Sequence, residues 1–339
     1  MIVVMSPRAT ENELNEVINF IKEKGFSVHL SRGRERTIIG VIGDDRYLLK
    51  DVLLAKPGVE DVVSILKPFK LVSREFHEED TKIKVKDTTI GGGTFTVIAG
   101  PCSIESKEQI MEVAWAVKEA GATVLRGGAF KPRTSPYSFQ GLGVKGLEYL
   151  ALAGEETGLP VISEALSPTA IDVVAEFVDI IQIGARNMQN FTLLTKAGKS
   201  KKPVFLKRGM MSKIEEFLLA AEYVLLGKDC EKGCDVMLCE RGIRTFETYT
   251  RNTLDISAVP LIKKLSHLPI FVDPSHATGV RDLVAPLSLS SLVAGADGIM
   301  VEVHPNPEKA LSDGAQSLTI PMFSDMMKKI KELEKVFKK

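Results

Sequence analysis

From Phe95 onward, short apolar runs alternate with stretches of helical periodicity. The runs are FTVIAG, TVLRGG, PVISEA, DIIQIGA, PVFLKRG, DVMLCERG, PIFVDPSH and GIMVEVH, eight in all. Apolar runs of strand length separated by helix-length segments imply β/α units with parallel strands, and eight such units close into a barrel. The intervening helices carry their own start signals. Ser106 precedes a stripe of Ile110, Val113, Ala114 and Val117. Ser212, with Glu215 three residues on, precedes Phe217, Leu218 and Ala221, the pattern of a capping box before an apolar face. The expected fold class is therefore α/β, a (β/α)8 TIM barrel over residues 93–339.

Residues 1–66 read differently, as a small N-terminal domain of order βαββαβ. Ile2 to Met5 form a β run, Thr10 and Glu13 a capping box, and Leu14, Val17, Ile18 and Ile21 a helical stripe that Gly25 ends. Phe26 to Leu30, Thr37 to Ile42 and Val59 to Leu66 read as strands, with a second helix over 45–55. This order is the ferredoxin-like split motif. Residues 67–92 divide into a charged linker to Asp80 and a hairpin over 82–90 expected to plug one end of the barrel. A chain of 339 residues accommodates one barrel of roughly 250 residues plus such a module.

The apolar runs end in residues that a core does not hold: Cys102, Arg126, Glu164, Arg186, Lys207, Arg241, Asp273 with His276, and Glu302. In a barrel these ends meet in one mouth, where active sites form. Arg126, Lys131, Arg133, Arg186, Lys207 and Arg241 make the mouth cationic. Lys plus Arg equals Asp plus Glu over the whole chain, 44 each, so the local excess points to anionic ligands. The neutral total argues against a nucleic-acid footprint or a polybasic membrane patch. Salt bridges with Glu164, Glu240 and Asp273 account for part of the cluster, but the cations outnumber these acids. The loop KPRTSPYSFQGLG, residues 131–143, is both cationic and stiffened by proline, which suits a clamp on phosphate and hydroxyl groups.

A second set, Cys102, His276, Glu302 and Asp313, can encircle a divalent cation. Spacing leaves two readings open, because a lone Cys also packs as a small hydrophobe and His276 could simply cap a strand end. Mixed soft and hard donors leave Mn, Fe, Co and Zn as options.

The segments IAGPCSIE, LRGGAFKPRTSPYSFQGLG, IQIGARNMQN, LKRG, LCERGIRTFETYTRNTLDISAVP, VDPSHATG and VEVHPNPEKALSDGAQSL closely resemble type I 3-deoxy-D-arabino-heptulosonate 7-phosphate (DAHP) synthases. That family opens the shikimate pathway of aromatic amino acid biosynthesis. The front domain resembles the ferredoxin-like regulatory domain of one subgroup. The resemblance implies condensation of phosphoenolpyruvate with erythrose 4-phosphate and release of phosphate. It implies one divalent metal on Cys102, His276, Glu302 and Asp313. Arg126, Lys131, Arg186, Lys207 and Arg241, with the Ala185 backbone, fall on phosphoenolpyruvate positions. Lys131, Pro132, Arg133, Thr134 and Ser135 fall on the erythrose 4-phosphate segment. Glu164 and Asp273 match acidic positions near the reacting centre, and Lys131 is the expected proton donor to the aldehyde oxygen.

The nearest alternative is 3-deoxy-D-manno-octulosonate 8-phosphate synthase, which carries a KANRSS-type segment where this chain reads KPRTS and normally lacks a front domain. A catalytically silent amino-acid-binding or scaffold barrel is a second alternative, and the complete metal and phosphate positions weigh against it. Feedback by tyrosine or phenylalanine is expected of the front domain, with His29 and Ser31, ahead of Arg32 to Arg36, as effector contacts. A packing or assembly module is the plainer reading of that domain. Its β-rich pattern excludes a helical chorismate mutase module. A homotetramer is the family expectation. Cysteines at 102, 230, 234 and 239 are too sparse for a disulfide scaffold. No apolar run approaches the roughly 20 residues of a membrane span, and MIVVMSPRAT lacks a basic n-region, so a cytoplasmic protein is expected. Cys230 and Cys234 read as structural, Cys239 as core, His77 and His267 as surface or packing residues, and Trp115 as packed. His304 borders the mouth without an assigned role.

Overall fold

The computed structural model describes residues 1–32, 36–42, 49–63, 68–132, 135–227 and 235–337. They fall into two compact units, Met1–Pro68 and Phe69–Lys339.

In the first unit β1 (Ile2–Met5) leads into α1 (Glu11–Glu23). The start of α1 is fixed by a reciprocal cap: Glu13 N–H donates to Thr10 Oγ1 at 3.3 Å, and Thr10 N–H donates to Glu13 Oε2 at 2.7 Å. Leu14, Val17 and Ile21 are buried on one face of the helix. After β2 (Ser27–Arg32), β3 (Thr37–Ile42), α2 (Lys50–Leu54) and β4 (Val59–Val63), the sheet order is β2-β3-β1-β4. The pairings of β1 with β3 and β4, and of β2 with β3, are antiparallel. This is the ferredoxin-like arrangement. Val3, Met5, Ile39, Val41 and Val62 pack with the helices, so alternation puts Ile38, Gly40, His29 and Ser31 on the opposite face.

The second unit is a closed barrel of eight parallel strands. They are β7 (Thr96–Gly100), β8 (Val124–Arg126), β9 (Val161–Glu164), β10 (Ile180–Ile183), β11 (Val204–Lys207), β12 (Val236–Glu240), β13 (Ile270–Val272) and β14 (Gly298–Glu302). β14 pairs β7 to close the ring, from Gly298↔Thr96 to Glu302↔Gly100. Ahead of the barrel, β5 (Ile83–Val85) and β6 (Thr88–Ile90) form a hairpin. The helices are α3 (Lys107–Ala120), α4 (Val144–Thr157), α5 (Pro168–Phe177), α6 (Phe191–Lys199), α7 (Ile214–Leu226), α8 (Ala258–Leu265), α9 (Pro274–Thr278), α10 (Arg281–Val293) and α11 (Ile320–Phe337). Ser106 caps α3 through its Oγ, which accepts Gln109 N–H at 3.1 Å, a contact worth about 1 kcal/mol. At α7 the expected cap is off by one residue. Glu216 accepts Lys213 N–H at 2.7 Å, so Glu216 rather than Glu215 closes the turn, and the Ser212 carbonyl accepts from Arg208 Nε at 3.0 Å.

Inside the barrel, Ile98, Val124, Ile162, Ile180, Phe205, Met237, Cys239, Phe271 and Met300 form one buried cluster with Ile83, Val85 and Ile90 of the hairpin. The interior is thus packed with side chains and is no pore. Phe205 and Phe271 meet edge-to-face with centroids 5.2 Å apart. Phe205→Ala is expected to destabilise the barrel by about 3–5 kcal/mol, read as a lower denaturant midpoint with an unchanged slope.

The segment expected to be a linker is held to the barrel from residue 70 onward. The Glu222 carboxylate accepts the backbone N–H groups of Lys70, Leu71 and Val72 at 2.7–3.1 Å. Arg74 donates to the carbonyls of Lys263 and Ser266 at 3.0 Å each. Among the described residues, no helix is long and apolar enough to cross a membrane.

Candidate active site

Strand alternation builds the mouth. Lys207 ends β11 and lines the cavity, whereas Arg208 turns aside to Glu240; Glu240, which ends β12, turns to Arg208, while Arg241 just after it lines the cavity. Asp273 caps the short helix α9 and so sets His276 one turn on. Its carboxylate accepts His276 N–H and Nδ1–H, both at 2.8 Å, and also the Lys207 ammonium. Burial pushes the Asp273 carboxyl up, but His276 and Lys207 outweigh it and hold the group well below the usual carboxylate range. Burial lowers the His276 pKa, so at neutral pH the ring is uncharged, with its proton on Nδ1 and a lone pair on Nε2.

That lone pair faces Glu302 Oε1 at 3.3 Å. An acceptor meeting an acceptor calls for a cation between them. Cys102 lies on the same side, its thiol 3.1 Å from Asp313 Oδ2. One donor atom from each of Cys102, His276, Glu302 and Asp313 lies within 4.8 Å of the others. Ligands about 2.0–2.3 Å from an ion are separated by at most about 4.6 Å, so the set fits a divalent metal after a shift of a few tenths of an ångström. Gln316 Nε2 donates to Glu302 Oε2 at 2.6 Å and Arg126 donates to Glu302 Oε1 at 2.7 Å, which fixes this ligand's orientation. Asp313 sits in the left-handed region at φ 49°, ψ 33°, a conformation that Asp tolerates better than most residues.

Burial and the neighbouring Glu302 push the Cys102 thiol up to about 12. Burial opposes ionisation of Glu302 and Asp313, yet the Arg126 guanidinium keeps the first, and the Cys102 hydrogen bond with the Arg251 guanidinium the second, below the usual carboxylate range. At neutral pH the thiol is then the ligand that must lose a proton. Metal binding should therefore release one proton, and the apparent affinity should rise about tenfold per pH unit. Calorimetry in buffers of different ionisation enthalpy checks this; a pH-independent affinity would contradict it.

Beside the metal set, Arg126, Lys131, Arg186, Lys207 and Arg241 line one cavity of about 480 Å³, together with Pro132, Ser135, Glu164 and Ala185. Lys131 Nζ lies 3.0 Å from Cys102 Sγ and 3.1 Å from Cys102 O. Burial opposes its charge, but the Cys102 sulfur keeps its pKa above the ordinary lysine value. Arg241 Nη2 donates to His276 O at 3.0 Å, while buried Nη1 has no hydrogen-bond partner among the described residues. An arginine donor buried with nothing to receive it points to an anion in the cavity. Glu164 accepts Gln182 Nε2 at 3.0 Å. Gly184 leaves room for that carboxylate, since a Cβ there would lie 2.1 Å from Glu164 Oε1.

The mouth thus assembles the expected site residues from separate strand ends, except Arg133 and Thr134, which lie outside the described residues, as do Cys230 and Cys234. His29 and Ser31 are exposed on β2 of the other unit. Trp115 does not pack as expected: it is 42% exposed, because Val113, Ala114 and Val117 turn the opposite face of α3 to the core, and Lys118 lies over its ring at 5.1 Å. His267 is buried between Thr81 Oγ1 and Leu71 O, and His77 is exposed beside it. His304 is buried and its Nδ1 accepts Asn306 N–H at 3.0 Å. Cys239 is buried in β12. The sequence reading missed Gln182, Arg244, Arg251 and Asn252, which also line the cavity, and Gln316 behind the metal set. The loop after Arg241 has no periodicity to announce Arg244, Arg251 and Asn252; the Ile243↔Thr253 bridge folds it back on itself.

Comparison with known proteins agrees with this geometry. A family model described as the DAHP synthetase I family matches residues 78–339, and one described as the DAHP synthase ferredoxin-like domain matches residues 1–67. The chain is 58% identical over 333 residues to a phospho-2-dehydro-3-deoxyheptonate aldolase of Thermotoga maritima, covering 98% of this chain and 97% of the relative. A crystal structure of the Thermotoga maritima protein, also described as a DAHP synthase, superposes with a TM-score of 0.94 at 56% identity, covering 99% of this chain and 97% of that one. A 2-dehydro-3-deoxyphosphooctonate aldolase of Desulfotalea psychrophila is 33% identical over 264 residues, 72% of this chain and 91% of the relative. With both units matched, the chain belongs to the DAHP synthetase I family and carries that family's ferredoxin-like domain ahead of its barrel.

Proposed function

We propose that the barrel mouth condenses phosphoenolpyruvate with erythrose 4-phosphate and water to give DAHP and inorganic phosphate, the first step of the shikimate pathway. The observation that carries this reading is the cationic cavity opening directly onto the Cys102, His276, Glu302 and Asp313 donor set. Arg126, Arg186, Lys207 and Arg241, with the Ala185 backbone, hold phosphoenolpyruvate. Pro132 and Ser135, with Arg133 and Thr134, receive erythrose 4-phosphate. A divalent ion on the four donors, Mn, Fe, Co or Zn, would supply Lewis acidity toward the sugar aldehyde. Lys131 delivers a proton to the aldehyde oxygen as C3 of phosphoenolpyruvate bonds to the carbonyl carbon. Water adds at C2, phosphate leaves by C–O cleavage, and the arginines hold it as it departs. Asp273 keeps His276 in its metal-facing tautomer through the Nδ1–H bond. Glu164 lies near the reacting centre. Turnover should favour erythrose 4-phosphate strongly over arabinose 5-phosphate, compared as kcat/KM; a preference for the five-carbon sugar would favour the octulosonate reaction instead.

The front domain is proposed to mediate feedback by tyrosine or phenylalanine, with His29 and Ser31 as contacts. The reading is supported by the sheet face opposite the helices, where these polar groups on β2 share a face with exposed Ile42 on the neighbouring β3. Control requires the effector to prefer one state of the enzyme over another. Deleting residues 1–66 should abolish inhibition by both amino acids while turnover persists; intact inhibition would refute this role. A homotetramer in the cytoplasm completes the proposal, and light scattering tests the assembly.

A further inference from the structure

We infer that Arg208 is a positioning residue that pins both ends of the loop 241–254, whose Arg241, Arg244 and Arg251 line the substrate cavity. The inference rests on the reading of the mouth proposed above. Arg208 is 5% exposed and Glu240, against which it lies, is fully buried. Arg208 Nη1 donates to Glu240 Oε2 and to Asp255 Oδ2, each at 2.8 Å, and Nε donates to the Ser212 carbonyl at 3.0 Å. Glu240 immediately precedes the loop and Asp255 immediately follows it, so one guanidinium joins its two ends to the strand that bears Lys207.

The loop start is held again from the other side. Glu240 Oε1 accepts Gly242 N–H at 2.6 Å. Gly242 has φ +90°, and a Cβ there would lie 2.9 Å from Ala277 Cα, so the backbone passes close against α9 just after Arg241. Backbone bonds from Arg244 N–H to Met210 O at 2.7 Å and from Arg251 N–H to Thr278 O at 2.8 Å seat the rest of the loop.

Stability alone is a poor reason for such a cluster, since a buried ion pair is often no more stabilising than apolar residues of the same volume. Geometry is a better one. Three arginines aimed into one cavity repel each other until an anion arrives, and a loop free to splay would carry them outward. Holding the loop in advance reduces what anion binding must spend on ordering it. Lysine cannot replace this residue, because its single ammonium lacks the planar fork that reaches two carboxylates and a carbonyl together.

The test compares the metal-loaded full chain with Arg208→Lys and Asp255→Ala. The second variant leaves Arg208 paired with Glu240 and so strands no buried charge. Calorimetric Kd and steady-state KM for phosphoenolpyruvate should rise about tenfold or more in both variants, with kcat within about threefold. Amides of residues 241–254 should exchange faster while those of β11 and β12 stay protected. The Co²⁺–thiolate absorption of Cys102 should not change. Unaltered phosphoenolpyruvate affinity with unaltered loop exchange, or a loss of thermal stability alone, would overturn the inference. Absence of turnover in the unaltered chain would instead refute the reaction assigned to the mouth, and the exchange measurement, which needs no substrate, still decides whether Arg208 holds the loop.

Discussion

Cys102→Ala should lose tight metal binding and lower turnover by at least about 10³-fold, since Lewis-acid stabilisation of several kcal/mol disappears with the ion. The size of the effect follows from the donor set. Cys102 is the soft donor among the four, it is 1% exposed, and water cannot replace it in a closed strand end. The fold should survive, because only one sulfur atom is removed and the surrounding strands keep their ladders. Metal content by atomic emission, measured with phosphate release, checks the prediction. A variant that holds one equivalent of metal and turns over normally would remove Cys102 from the ligand set.

Lys131→Ala should lower kcat by about 10²–10⁴-fold, the range for loss of a positioned proton donor. The ammonium sits 3.0 Å from Cys102 Sγ, which places it at the metal edge of the cavity and not at its rim. Metal should still bind, because Lys131 donates to the site and ligates nothing. The fall in kcat should exceed the rise in KM for phosphoenolpyruvate, since the other cations of the pocket remain. Near-normal turnover would refute the proton-transfer role, and a loss confined to KM would reduce Lys131 to an anion-holding group.

The barrel was legible because its strands are buried on both faces and read as unbroken apolar runs, as VIA and VFL do. The mouth was legible for a related reason: Arg126, Lys207 and Glu302 end those runs abruptly. What escaped were residues whose place depends on a neighbour distant in sequence. Arg251 reaches the cavity because its loop bridges back on itself. Arg208 follows Lys207 directly, yet it points away from the cavity, and only the meeting with Glu240 and Asp255 gives it a purpose. Gln316 meets Glu302 across a turn with no periodic signature. Trp115 was a different failure, since the stripe of Val113, Ala114 and Val117 already excluded it from the core. The helix start after Ser212 slipped by one residue because Glu215 and Glu216 are adjacent acids, and only geometry chooses between them.

The central claim is that one mouth joins a divalent metal to two phosphorylated substrates. Its most direct test is release of inorganic phosphate from phosphoenolpyruvate by the chelated protein, with erythrose 4-phosphate and Mn²⁺ added back singly and together. The account predicts stoichiometric release only when both are present. Release without metal, or none with both, would contradict it.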